Sequence, residues 1–305
     1  MKHDLARRLA NLKTRARIVE GIREFFRERG FLEVETPVRI PAPLPEAHIR
    51  AMESEGWFLH PSPESCMKRL LAAGSGDIFS LCRVFRAGER GDRHLPEFTL
   101  LEWYRARAGY EALMEDCQGL LLHLAGLPGL GPRLSWGGRD LSLSPPWPRT
   151  TVTRAFILHA GKSVGQALAD GSFDEAMGFS IEPELGREQP EFLVDYPLEK
   201  GSLARRKAGH PTVCERFELY AAGLELANGF SELTDPEEQR TRFLEENRVR
   251  QAHGLPPCPM PEKFLADLAH MPPAAGIALG VDRLVMLLTG ASDIAEVVAF
   301  TPEEL

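Results

Sequence analysis

Leu5, Leu9, Leu12, Ala16, Val19, Ile22, Phe25 and Phe26 recur at three- and four-residue steps between charged residues. That spacing predicts an amphipathic helix, ended by Gly30. Residues 31–35 (FLEVE) alternate like a half-buried strand and stop at Thr36-Pro37, and Pro41, Pro43 and Pro45 make the next stretch a loop. A short helix is expected over 63–73, closed by Gly74-Ser75-Gly76. Strands are expected over 78–85 and 98–104, joined by an unusually charged connection, and a helix over 110–125. Residues from about 126 to 190 are rich in Gly and Pro with helical patches, which reads as a peripheral insertion. The strand pattern resumes over 192–196 and 213–220. A charged helix spans 235–252, capped by Thr234 or Asp235, and 279–288 runs from a small-residue strand into a helix.

Strands close in sequence with hairpin-like joins predict an α+β fold, a mostly antiparallel sheet flanked by helices. The chain has neither a G-x-x-x-x-G-K-[ST] loop nor a G-x-G-x-x-G fingerprint, so the parallel-sheet nucleotide folds are not indicated. No internal repeat is visible, and 305 residues fit a single large domain.

Composition narrows the setting. At 43% hydrophobic and 26% charged, with no apolar run of the roughly 18–20 residues a membrane helix needs, the chain reads as soluble and cytoplasmic, with no membrane partner. Its five cysteines (Cys66, Cys82, Cys117, Cys214, Cys258) are scattered without a C-x-x-C pair, which argues for free thiols rather than disulfides or zinc. The formal net charge of −8 disfavours a broad nucleic-acid surface. The dense basic cluster at Lys200, Arg205, Arg206 and Lys207 is a candidate docking patch for an acidic partner, or a solvated loop.

Three segments carry candidate chemistry. Arg86, at the end of a strand and ahead of a polar loop, could hold a phosphate or belong to a surface ion-pair loop. In residues 218–232, a two-residue turn at Ala222-Gly223 would pair Tyr220 with Glu225 and put Glu218 on the same face. Two carboxylates converging there suit Mg²⁺ with ATP phosphates, or a plain solvated face. Strict alternation turns Glu232 away from Glu225 unless a bulge, for which Gly229 is the expected place, re-aims it. In residues 276–284 (GIALGVDRL), small residues would let a flat ring approach the backbone and Arg283 could meet phosphate; a Gly-rich packing contact is the alternative.

These segments resemble motifs 2 and 3 of class II aminoacyl-tRNA synthetases, and residues 29–37 (RGFLEVETP) resemble motif 1. ELANGFSE at 225–232, PEFT at 96–99 and EWY at 102–104 are similar to the lysyl branch. Residues 62–71 (SPESCMKRLL) and 276–280 (GIALG) resemble most the short synthetase-like family that attaches (R)-β-lysine to a lysine of translation elongation factor P. The resemblance spans essentially the whole chain. It implies an antiparallel sheet core and a homodimer whose interface includes the Pro37 segment. Arg86 and Arg283 are implied as catalytic, with Arg86 at the α-phosphate and Arg283 at the γ-phosphate. ATP would be bound by Arg86, Glu89, His94, Phe98, Glu225, Leu226, Gly280 and Arg283, and Mg²⁺ by Glu218 and Glu225. Ser62, Glu64, Glu102, Tyr104, Asn228, Glu232 and Ala278 would surround the amino acid.

Three positions depart from the pattern. Gly88 stands where relatives commonly have an adenine-reading Glu, with Glu89 next; Leu95 follows His94 where many have Asn; and Ala278 stands where lysyl-tRNA synthetases usually have Gly. The expected activity is ATP-dependent activation of (R)-β-lysine or lysine as an adenylate, then transfer to a lysine of elongation factor P. The alternatives are a lysyl-tRNA synthetase without its anticodon module and a non-catalytic paralogue that binds amino acid and ATP. Only a few residues precede the first helix, so no anticodon-binding OB-fold is expected, and tRNA is not the favoured acceptor.

Overall fold

The computed structural model describes residues 2–305, with side chains from Leu5 onward except that of Arg7. Its centre is an eight-stranded sheet formed by β1 (Leu32–Glu33), β2 (Ile78–Phe85), β3 (Glu97–Ala106), β4 (Arg149–Thr151), β5 (Glu191–Pro197), β6 (Val213–Ala221), β7 (Leu224–Ser231) and β8 (Ala274–Gly280). The spatial order is β1-β2-β3-β8-β7-β6-β5-β4. Every interior pairing is antiparallel, as the hairpin-like joins predict. The two edges differ, because β1 lies parallel to β2 and β4 parallel to β5. β4 comes from the Gly- and Pro-rich segment expected to be peripheral, so that segment supplies an edge of the sheet.

Six helices matter for the site: α1 (Lys2–Glu28), α2 (Glu64–Ala72), α3 (Tyr110–Ala125), α4 (Pro236–Ala252), α5 (Glu262–Leu268) and α6 (Val281–Thr289). Asp235 settles the start of α4, its carboxylate accepting from the backbone N–H groups of Glu237 and Glu238 at 2.9 and 3.0 Å. One sheet face packs on α1, α3 and α6. There Ile22, Phe26, Leu101, Trp103, Leu113, Leu121, Phe217, Ile277, Leu279 and Leu284 form one buried cluster. At roughly 25 cal/mol per Å² of apolar surface removed from water, this layer dominates the favourable side of folding.

The opposite face is covered only at its ends. Met67, Leu71, Phe243 and Phe264 of α2, α4 and α5 close over one end, together with Tyr104. Phe156, Phe173 and Ile181 of the inserted segment close over Leu193, Tyr196 and Tyr220 at the other. Between them the sheet is open. No described helix is long and apolar enough to cross a membrane.

Candidate active site

The uncovered strip is floored by side chains that strand register lines up. One row crosses the sheet as Glu102, Ala278, Asn228 and Glu218; the next runs Tyr104, Gly276, Phe230 and Arg216. The predicted turn at Ala222-Gly223 is present and Tyr220 pairs with Glu225. The bulge that keeps Glu225 of β7 and Glu232 just beyond it on this face lies elsewhere than expected. Leu219 pairs with Ala227 while Tyr220 pairs with Glu225, which leaves Leu226 as the extra residue. Past that insertion Asn228, Phe230 and Glu232 fall on the face of Glu225. Gly229 has a different task on the opposite face, where an added Cβ would sit 2.8 Å from the Phe217 ring and 3.0 Å from Ile277.

A cavity of about 320 Å³ opens over this floor. Ser62, Glu64, Arg86, Glu89, His94, Phe98, Glu102, Tyr104, Glu225, Leu226, Asn228, Ala278, Gly280 and Arg283 all line it. Of the residues singled out in the sequence, Glu218 and Glu232 are not in its wall. Glu232 is fully buried behind it, and Glu218 lies at the deep edge.

The cavity is polarised along β8. At the Gly276 end, Ser62 donates to Glu102 at 2.5 Å and Tyr104 donates to the other Glu102 oxygen at 3.0 Å. Glu64 reaches in from the first turn of α2, and Lys68 one turn later is paired with both Glu64 and Glu232, the latter at 2.6 Å. Burial, reinforced by the Glu64 charge, raises the Glu102 carboxyl to about 8. Burial likewise raises Glu232 to about 8 although Lys68 opposes it. Gly276 is needed here for close approach: an added Cβ would meet the Tyr104 ring at 2.2 Å and Glu232 Oε1 at 2.5 Å. Its space therefore belongs to Tyr104, and the open part of the floor is at Ala278 and Gly280.

At the other end stand the cations. Arg86 follows β2, its guanidinium 5.1 Å from the centre of the Phe98 ring and 3.8 Å from Glu89. Arg283, in the first turn of α6, donates to the Glu225 carbonyl at 2.9 Å and to its carboxylate at 3.1 Å, and meets His94 at 2.5 Å. Burial and the Arg283 charge both push His94 down, so its ring is a neutral partner. The start of α6 is fixed by buried Asp282, which accepts from the Thr99 N–H and from Arg15, both at 2.7 Å.

The carboxylates expected to hold a metal are in unlike situations. Both oxygens of Glu218 are occupied: Arg216 donates to one at 2.6 Å, and Tyr196 and Tyr220 to the other at 2.5 and 2.6 Å. Glu225 is partly exposed, in the wall, and held by Arg283. Among the described residues no three His, Cys, Asp or Glu groups converge as a metal cage. The arrangement fits an Mg²⁺ that keeps most of its ligands from water and phosphate and takes one carboxylate, Glu225.

Four further residues belong to the site without having been singled out. Lys68 and Arg216 each lie on the same face as an acid already noted, four residues after Glu64 and two before Glu218, so local periodicity held a signal. Glu46 lines the cavity and is raised to about 7 by burial and then Glu64. Glu182, from the inserted segment, is raised to about 7 by burial, then by Glu225 and Glu218. Nothing local in the sequence links it to the site. The basic cluster at 200–207 is largely neutralised: Lys200 pairs with Asp174, Arg205 with Glu215 and Lys207 with Asp195. Arg206 donates to the Pro211 carbonyl. A free basic docking patch is therefore not what this loop presents.

The profile of tRNA synthetases class II (D, K and N) matches residues 4–304. The chain belongs to the class II tRNA synthetase family. Within this class II synthetase family its sequence is similar to proteins named elongation factor P–(R)-β-lysine ligase. It is 41% identical to that of Pectobacterium carotovorum over 316 residues, covering 97% of this chain and 96% of the relative. The Edwardsiella ictaluri protein is 42% identical over 313 residues, 96% and 95% of the two chains. That of Salmonella gallinarum is 41% identical with the same coverage.

Proposed function

We propose that this chain, an ATP-dependent ligase, activates (R)-β-lysine, or lysine, as its adenylate and transfers it to one lysine ε-amine of translation elongation factor P. The observation that carries the reading is the cavity's polarity: three carboxylates gather at the Gly276 end, and Arg86 and Arg283 stand at the other. A substrate with two ammonium groups and one carboxylate, bound beside a polyphosphate, matches that layout. The names of the relatives support the acceptor.

In the first half-reaction the substrate carboxylate attacks the α-phosphorus of ATP, and pyrophosphate departs with the electron pair of the broken P–O bond. Arg86 and Arg283 act by fixed position and charge, the largest kind of contribution such a site can make. Ser62, Glu64, Glu102 and Asn228 orient the amino acid, and Glu89, His94, Phe98, Leu226 and Gly280 frame the nucleotide. A Mg²⁺ bound with ATP would further neutralise the phosphates, with Glu225 as the carboxylate open to it. In the second half-reaction the neutral ε-amine of the acceptor attacks the acyl carbon and AMP leaves.

In this reading residues 1–305 form one catalytic domain, with about 126–190 an insertion that brings Glu182 to its rim. The enzyme works in the cytoplasm as a homodimer joined through the Pro37 segment. The dimer is supported by Leu32 and Val38, both exposed, and by a buried Thr36 hydroxyl that has no hydrogen-bond partner among the described residues. A protein acceptor rather than tRNA is supported by the net charge of −8 and by the ion pairs that quench the 200–207 cluster.

ATP–pyrophosphate exchange with a panel of amino acids tests the first half. (R)-β-lysine and lysine should drive exchange and amino acids with one ammonium group should not. Exchange driven equally by an uncharged side chain would refute the reading.

A further inference from the structure

Lys68 is an ammonium among acids. It is 2% exposed, and its Nζ is paired with Glu64 of its own helix and, at 2.6 Å, with Glu232 at the end of β7. Its nitrogen lies 5.1 Å from the centre of the Phe230 ring. Burial alone would lower the Lys68 amine, and Glu232 with Glu64 more than reverses this, so it stays charged. Glu232 is fully buried, yet its Oε1 has no hydrogen-bond partner among the described residues. Such an orphaned acceptor beside the cavity calls for a donor from outside the chain.

We propose that Lys68 is a positioning and specificity-determining residue: it ties the two carboxylates from α2 and β7 together and sets the pocket's charge to suit a substrate with two ammonium groups. The inference rests on the amino-acid reading of the cavity given above. With Glu64, Glu102 and Glu232 ionised, the cluster carries three negative charges against one positive, which leaves two for the substrate. Without Lys68 the buried Glu232 would lose its countercharge beside the buried Glu102, and burial drives such groups to take protons. The charged and titratable groups facing the cluster are Glu64 and Lys68 on α2, Glu102 and Tyr104 on β3, and Glu232 on β7. Glu46 and Arg86 stand further off across the cavity.

The sign follows. Glu102 and Glu232, each raised to about 8, hold protons in the empty pocket below that pH and must release them to accept ammonium groups. Binding of the diamino acid therefore strengthens as pH rises from 6 toward 8. Lys68 is what keeps Glu232 from lying higher still, so its removal moves that rise to more alkaline pH.

The test is ATP–pyrophosphate exchange against pH for wild type, Lys68→Met and Lys68→Arg, with (R)-β-lysine and lysine. Lys68→Met should raise KM for the diamino acid at least about tenfold, leave kcat within about threefold, leave KM for ATP unchanged, and shift the kcat/KM rise upward. Lys68→Arg keeps the cation and should keep the wild-type pH profile. A Lys68→Met enzyme whose KM and profile superimpose on wild type overturns the inference. If Lys68→Met does not fold, Lys68→Gln keeps a polar side chain there without the charge. Its kcat/KM rise should also move to alkaline pH, and a profile superimposed on wild type would overturn the inference. Wild type that activates no diamino acid would instead overturn the functional reading itself.

Discussion

Along β3, Leu101 and Trp103 turn toward helices α1 and α3, while Glu102 and Tyr104 turn toward the cavity. The two faces of one sheet are thus built under different demands. On the helix face the polar groups next to the core pair within the chain: the Trp103 indole N–H donates to Asp116 at 3.1 Å, and Arg105 takes up the same carboxylate with two further bonds. On the cavity face Glu102 and Glu232 carry carboxyls raised by burial, and a Glu232 oxygen has no hydrogen-bond partner. Close packing stabilises the first face. The second keeps polar groups that a ligand completes, and it is stable because the first face is.

The sharpest way to break this contrast is to substitute one residue on each face. Trp103→Ala empties a fully buried site in contact with Phe26 and should cost about 3–5 kcal/mol of stability. Thermal or denaturant unfolding reads this directly. Arg86→Ala, on the cavity side, should leave the melting temperature close to wild type and lower the rate of adenylate formation by about 10²–10³. An Arg86→Ala enzyme within a few-fold of wild-type exchange would remove Arg86 from its assigned role.

A smaller and more symmetrical pair uses two glycines. Gly229→Ala would press a methyl onto Phe217 and Ile277 in the core, and Gly276→Ala would press one onto Tyr104 and Glu232 in the pocket. Overpacking of this kind costs about 1–3 kcal/mol. We expect Gly229→Ala to appear mainly as lost stability and Gly276→Ala mainly as a raised KM for the amino acid. Both variants losing stability with unaltered KM would show that the faces do not divide the work.

The division also explains what could be read from the sequence. The helix face repeats apolar residues at regular spacing, so the long α1, the span 110–125 of α3 and the strand 78–85 were legible from periodicity. The Ala222-Gly223 turn was legible from turn chemistry. The cavity face depends on departures from periodicity. The bulge fell at Leu226 rather than Gly229, because Gly229 is held to small size by Phe217 and Ile277. Glu218 lies on the face of Glu225, as parity of register implies, while the convergence of Arg216, Tyr196 and Tyr220 on it from two strands left no local pattern. Glu182 approaches from a segment distant along the chain, and pairing across such distances leaves no local pattern. The Lys200–Lys207 cluster looked basic in sequence because its acidic partners, Asp174, Glu215 and Asp195, lie on other elements.

The smallest effect sits at the centre of the cavity floor. Ala278 is in register with Glu102 on one side and Asn228 on the other, so its methyl sets the room available to the amino acid. Ala278→Gly should improve activation of lysine relative to (R)-β-lysine by about tenfold, the scale of one methyl in a specificity pocket. The ratio of the two kcat/KM values checks this, and an unchanged ratio would mean the methyl takes no part in the choice.

The central claim is that this sheet face makes an adenylate for a protein lysine. Its most direct test is mass spectrometry of purified elongation factor P after incubation with this enzyme, ATP and (R)-β-lysine, run beside tRNA(Lys) charging from the same enzyme stock. The account predicts one β-lysyl group on a single lysine of elongation factor P and negligible charging of the tRNA. Unmodified elongation factor P together with robust aminoacylation of tRNA(Lys) would contradict it.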